Sequence, residues 1–228
     1  SSGNGATSSS TISLRYDKRN DRWSPTKGIY AETSFQYAGL GGNKKYVKSV
    51  GIFRFYQKLF WEFVLRNNFN IGVINPNGSE DDALYNEKFY AGGPGPGLGV
   101  IRGYSSRSVT TTKKSQYKYN KYKAADTSMS DERAELLSQV PVGGKWLSVY
   151  NAEIEFPLIP EAGFKGVLFW DIGQASEELR SDGYRSGAGF GVRWFSPIGP
   201  LRFEWGFPVN RRETDEAYRF EFQIGSPF

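Results

Sequence analysis

The feature that most constrains this chain is a two-residue alternation, repeated in segment after segment, in which one face is aromatic and the other is charged. It is clearest at the C-terminal end. In AYRFEFQIGSPF, Tyr218, Phe220, Phe222 and Ile224 share one face, and Arg219, Glu221 and Gln223 share the other. In LRFEWGFP, Leu201, Phe203, Trp205 and Phe207 oppose Arg202 and Glu204. A slip of one residue would exchange the two faces completely, so the register of such strands is tightly specified. GAGFGVRWF, VLFWDIG and WLSVYNAEIEF continue the pattern upstream, with Arg193, Asp171, Asn151, Glu153 and Glu155 on the polar faces. FVLRNNFNIGV, VKSVGIFRFYQKLF, IYAETSFQYA and TISLRYDKR complete the set.

Soluble sandwiches also alternate, so the nature of the two faces has to decide. Here the polar face is charged on nearly every segment, and the apolar face ends in Tyr, Trp and Phe, as an interfacial girdle does. The connections near 24–28, 61–62 and 196–200 are short, whereas the one from 75 to 143 is very long. Short turns at one mouth and long loops at the other are the habit of membrane barrels. The mean hydropathy of −0.54 does not oppose this reading, because a barrel turns only alternate residues to lipid. The chain has no apolar run long enough for a transmembrane helix. The expected fold is all-β: an antiparallel transmembrane β-barrel of about eight or nine strands over residues 11–228, with one long loop. Residues 1–10, SSGNGATSSS, are small and polar and read as a flexible tail rather than a signal peptide.

Composition removes several function classes. The chain has no Cys and no His, which excludes disulfides, thiolate zinc sites and Ser-His-Asp catalysis, so neither a metal nor another cofactor is expected. Without His no ordinary nucleophile–base pair can be assembled, and the chain is not expected to be an enzyme. The net charge of +5 is read as Lys and Arg scattered in loops, not as a nucleic-acid surface.

The long loop opens with KFYAGGPGPGLGVIRGYSS and continues with the basic, polar KKSQYKYNKYK. Arg102 stands there among apolar residues, after Ile101 and before Gly103 and Tyr104, and a charge so placed needs a partner. FYAGG followed by IRGY resembles the FYAGG…VRGF signature of the BamA-type outer-membrane assembly factors, with Ile for Val, Tyr for Phe and an added PGPGLG stretch. SLRYDKRNDRWSPTKG, AEIEFPLIP, FWDIG, GFGVRWFSPIGPLRFEWGFPVN and FEFQIGSPF are similar to further stretches of that family in the same order. The resemblance runs from about residue 11 to Phe228; the family's periplasmic POTRA domains lie outside it.

The resemblance implies that the loop enters the lumen and that Arg102 meets Asp171, with Glu155 and Glu153 on the same polar face as acidic partners. It implies that the strand carrying Tyr218, Phe220 and Phe222 and ending in Phe228 resembles the terminal signal by which outer-membrane proteins are recognised. It implies insertion of β-barrel proteins into the outer membrane of a Gram-negative bacterium, with lipids, unfolded outer-membrane proteins and accessory lipoproteins as partners. Because the family's barrels have more strands than this chain supplies, three arrangements stay open: part of a larger wall, a closed eight-stranded barrel, or copies pairing edge to edge. A two-partner-secretion-like transport pore, or a stand-alone barrel without insertase activity, is the alternative function.

Overall fold

The computed structural model describes residues 7–78, 84–94, 97–196 and 199–225. Nine long strands form one antiparallel sheet: β1 (Ser9–Asp17), β2 (Gly28–Ala38), β3 (Tyr46–Lys58), β4 (Val64–Pro76), β7 (Trp146–Ile159), β8 (Phe164–Ser176), β9 (Arg185–Ser196), β10 (Gly199–Pro208) and β11 (Arg219–Ile224). They neighbour one another in chain order. β1 therefore begins within the stretch expected as a tail, at Ser9.

The alternation sets the two faces. On β4, Arg66, Asn68 and Asn70 are buried, while Phe69 and Ile71 point out and are exposed. On β8, Phe169 and Asp171 are buried, and Leu168 and Trp170 are exposed. Aromatics pair across strands on the outer face, with Trp205 opposite Phe220 and Phe203 opposite Phe222, at ring separations of 4.9 and 5.1 Å. A polar interior behind an apolar exterior is inside-out for a soluble sheet and is what a lipid-facing wall requires.

The connections alternate in kind as expected. β3–β4 and β7–β8 are joined by tight turns, the latter through the 3-10 turn Pro160–Ala162 and Gly163. The Pro197-Ile198 part of the β9–β10 turn lies outside the described residues. The β1–β2 connection is shaped by Asn20, whose Oδ1 accepts from the Thr26 and Lys27 amides, and by Asp21, whose Oδ1 accepts from Trp23 and Ser24. At the other mouth β4 and β7 are joined by the long loop, residues 77–145. Its basic, polar second part has regular structure. It folds as a strand pair, β5 (Thr112–Lys114) with β6 (Gln139–Pro141), enclosing helices α1 (Gln116–Ala125) and α2 (Asp131–Leu137). Ser115 and Ser130 cap the two helices.

The sheet curls into a partial barrel, far enough for Lys165 on β8 to reach Ser24 in the β1–β2 connection, with Nζ to Oγ at 3.1 Å. Among the described residues no ladder joins β1 to β11, so the closed eight-stranded arrangement does not hold. Nine antiparallel neighbours leave the two edge strands running in the same direction. Self-closure, or pairing between two copies of the same orientation, would then need a parallel junction; an added wall with an odd number of strands would close it antiparallel throughout.

Candidate functional site: the loop seat in the lumen

The long loop is held against the polar face by two kinds of contact. The first is apolar. Leu84, Phe89, Ala91, Ile101, Tyr104 and Val109 of the loop cluster with Tyr46, Ile74, Leu147, Val149 and Ala175 of the wall. Burying such side chains contributes about 1.5–3 kcal/mol each, which outweighs what single exposed ion pairs supply. The second is polar and positional. Asn70 Nδ2 donates to the Leu98 carbonyl at 2.8 Å, and Asn151 Nδ2 to the Val100 carbonyl at 3.0 Å. Asn68 Nδ2 in turn donates to Asn151 Oδ1 at 2.9 Å, which fixes the orientation of that amide.

These contacts deliver Arg102 to the wall. Its Nε and Nη2 donate to Asp171 Oδ2 and Oδ1, both at 2.7 Å, and its backbone amide donates to Oδ2 at 2.9 Å. Nη1 donates to Glu153 Oε1 at 2.5 Å and lies 3.5 Å from Glu204. The guanidinium also stands 3.7 Å over the Phe169 ring. Arg102, Asp171 and Glu153 are each 2% exposed or less. Burial alone would lower the Arg102 pKa, but Asp171, Glu153 and Glu204 more than reverse this and hold it well above the ordinary arginine value. A bidentate arginine–carboxylate pair of this kind fixes orientation as well as position.

Glycine makes the approach achievable. A Cβ on Gly206 would stand 2.4 Å from the Gly103 nitrogen, and one on Gly187 would stand 2.1 Å from the Arg102 carbonyl oxygen. Gly103 itself has φ +92°, a conformation that side chains other than glycine rarely adopt. The loop thus lies backbone against backbone on β9 and β10. Tyr104 completes the seat: its hydroxyl donates to Asn210 Oδ1 at 2.9 Å, in the β10–β11 connection, and its burial raises the phenol pKa.

The structure brings together Ile101, Arg102, Gly103, Tyr104, Asp171 and Glu153. Glu155 stands one step removed: it meets Arg66 and Arg193, at 2.8 and 3.1 Å, instead of Arg102. Tyr218, Phe220 and Phe222 are on the outer face at β11, away from the seat, and Phe228 lies outside the described residues. Sequence reasoning placed Arg193, Arg66, Glu204 and Arg202 on polar faces without giving them a role, and did not single out Phe169. Arg193 bridges Glu153, Glu155 and Glu204. The signal for it was present, since a lone Arg on the lumen face of a glycine-rich strand opposes acidic neighbours two strands away.

The Omp85 superfamily domain profile matches residues 1–228. The chain belongs to the Omp85 superfamily. It is 30% identical to the outer membrane protein assembly factor BamA of Nitratidesulfovibrio vulgaris over 96% of its own length and 26% of that protein's. It is 26% identical to BamA of Neisseria meningitidis over 96% of this chain and 28% of that one, and 25% identical to the SAM50-like protein CG7639 of Drosophila melanogaster over 95% and 44%. The chain therefore spans about a quarter of the length of these BamA relatives. Its fold is similar to the crystal structure of BamA from Haemophilus ducreyi lacking POTRA domains 1-3, with a TM-score of 0.72, 22% identity and coverage of 95% of this chain and 41% of that one. This Omp85 wall is an outer-membrane sheet curled into a partial β-barrel.

Proposed function

We propose that this Omp85 wall serves in folding and inserting β-barrel proteins into the outer membrane, by the BamA-type route and without covalent chemistry. The observation that carries the reading is a lumen face occupied by a loop that is locked through Arg102 onto Asp171 and Glu153. A wall arranged for conduction would keep that face open to water. What stays available for work is the outer face and the strand edges. On β1, Ile12 and Leu14 are about 70% exposed, and β1 has a ladder partner on one side only among the described residues. Unpaired strand edges are unstable against lipid, so an incoming strand that pairs with one is stabilised by main-chain hydrogen bonds as it leaves water. Unfolded outer-membrane proteins are then the clients, and accessory lipoproteins are the partners that deliver them.

The test is insertion of a urea-unfolded barrel protein into vesicles, followed by heat-modifiable migration on gels. Vesicles carrying this chain are expected to speed the insertion over protein-free vesicles. Equal rates in the two would overturn the reading.

A further inference from the structure

The buried charges do not end at the loop seat. Glu153 Oε1 is shared between Arg102 of the loop and Arg193 of β9, at 2.5 and 2.7 Å. Arg193 passes on to Glu155 Oε2 at 3.1 Å and to Glu204 Oε1 at 3.0 Å. The other oxygen of Glu155, Oε1, accepts from Lys165 Nζ at 2.9 Å. The same Nζ donates across the lumen to Ser24 Oγ, in the connection that ends edge strand β1. A continuous chain of contacts therefore runs from the long loop at one mouth to the β1–β2 connection at the other.

We propose that seating of the long loop and the position of the β1–β2 connection are coupled through this chain, with Arg193 as its central positioning residue. Three features support the coupling. Arg193, Glu153, Glu155 and Glu204 are each 2% exposed or less, so a lost partner cannot be replaced cheaply by water. One carboxylate oxygen serves both arginines, so when Arg102 leaves, Arg193 no longer shares Glu153 Oε1 and its hold on Glu155 changes. The far end also has room to respond, since a cavity of about 190 Å³ is lined by Glu155, Lys165 and Thr26 of the β1–β2 connection. The edge that receives clients in the function proposed above would thereby report whether the loop is seated. Only this consequence rests on that reading; the coupling itself does not.

The chain has no cysteine, so a single introduced thiol is a unique reporter. Thr26→Cys places one in the half-buried wall of that cavity. Its rate of maleimide labelling is read in client-free vesicles, which keeps the outcome independent of assembly activity. Arg102→Ala and Lys165→Met are each expected to raise the rate about fivefold or more, the lower end of typical coupling between sites. The pair together should do no more than Lys165→Met alone, because both cut one chain. Lys165→Arg should restore most of the protection, and Arg193→Met should behave like Lys165→Met. An unchanged rate in Arg102→Ala would overturn the coupling, as would effects of the two substitutions that multiply.

Discussion

Arg102 and Asp171 meet through three hydrogen bonds, two from the guanidinium and one from the backbone amide of the same residue. The third matters because it needs no side chain. A lysine at position 102 would keep the charge and the amide contact but lose the paired fork. Arg102→Ala leaves Asp171 with the backbone amide alone and takes one arginine from Glu153. Breaking one side of a buried pair costs about 3–5 kcal/mol. The loop is then expected to become sensitive to trypsin at Lys88, which is buried in the seated loop, in native vesicles, with Arg102→Lys intermediate, whereas the parent chain resists cleavage there.

Gly206→Ala should unseat the loop without touching any charge. Its new methyl would meet the Gly103 nitrogen at 2.4 Å, backbone that cannot turn aside. Gly97→Ala is the matched control, since a Cβ there meets nothing nearer than 4.0 Å. The same protease assay should separate the two, with Gly206→Ala cut as readily as Arg102→Ala and Gly97→Ala like the parent.

If the lumen face is plugged and does not conduct, planar-bilayer recordings should show larger openings for Arg102→Ala than for the parent. Identical conductance, together with an unchanged cleavage pattern, would mean that the loop does not obstruct the pathway at all.

The outer face makes an independent prediction. Leu168 is 52% exposed near the middle of β8, next in sequence to buried Phe169. Leu168→Arg places a charge in lipid and should cost about 2–4 kcal/mol of folding stability, measured by equilibrium refolding into vesicles. Ser148→Thr, on the same face of the adjacent strand, should change it little.

Acid should loosen the α1–α2 hairpin. Lys123 and Tyr119 hold the exposed Asp131 carboxyl below its usual range. A depressed folded pKa contributes stability that is present above the unfolded value, about 3.9, and is lost as pH falls below it. With 4,4′-dithiodipyridine, which stays reactive in acid, and with each rate divided by that of a free cysteine peptide at the same pH, labelling of Ala134→Cys, buried in α2, should therefore rise as pH falls from about 5 to about 3.

The wall was legible in the sequence because a two-residue period, charged on one side, leaves few alternatives; the faces assigned to Phe222, Asp171 and Glu204 are those observed. The α1–α2 hairpin was not legible. Lys, Tyr, Gln and Ala are acceptable helix formers, but α1 buries no residue, so there was no apolar stripe for a periodicity test to find. The seat was half legible. Arg102 announced itself as a charge among apolar residues, and the family resemblance pointed to Asp171. The ties made by Asn70 and Asn151 run to backbone carbonyls at Leu98 and Val100, which no side-chain pattern records. Arg193 was visible as a polar-face residue, yet its role depends on which strands curl together.

The shared direction of β1 and β11 has a topological consequence. β1 begins at the long-loop mouth, and β11 ends at the short-turn mouth. The chain therefore enters the sheet at Ser9 and leaves it at Ile224 on opposite sides of the membrane, whereas any wall with an even number of strands is entered and left on the same side. Single thiols introduced by Thr7→Cys and Gly225→Cys should answer to impermeant reagents added to different compartments.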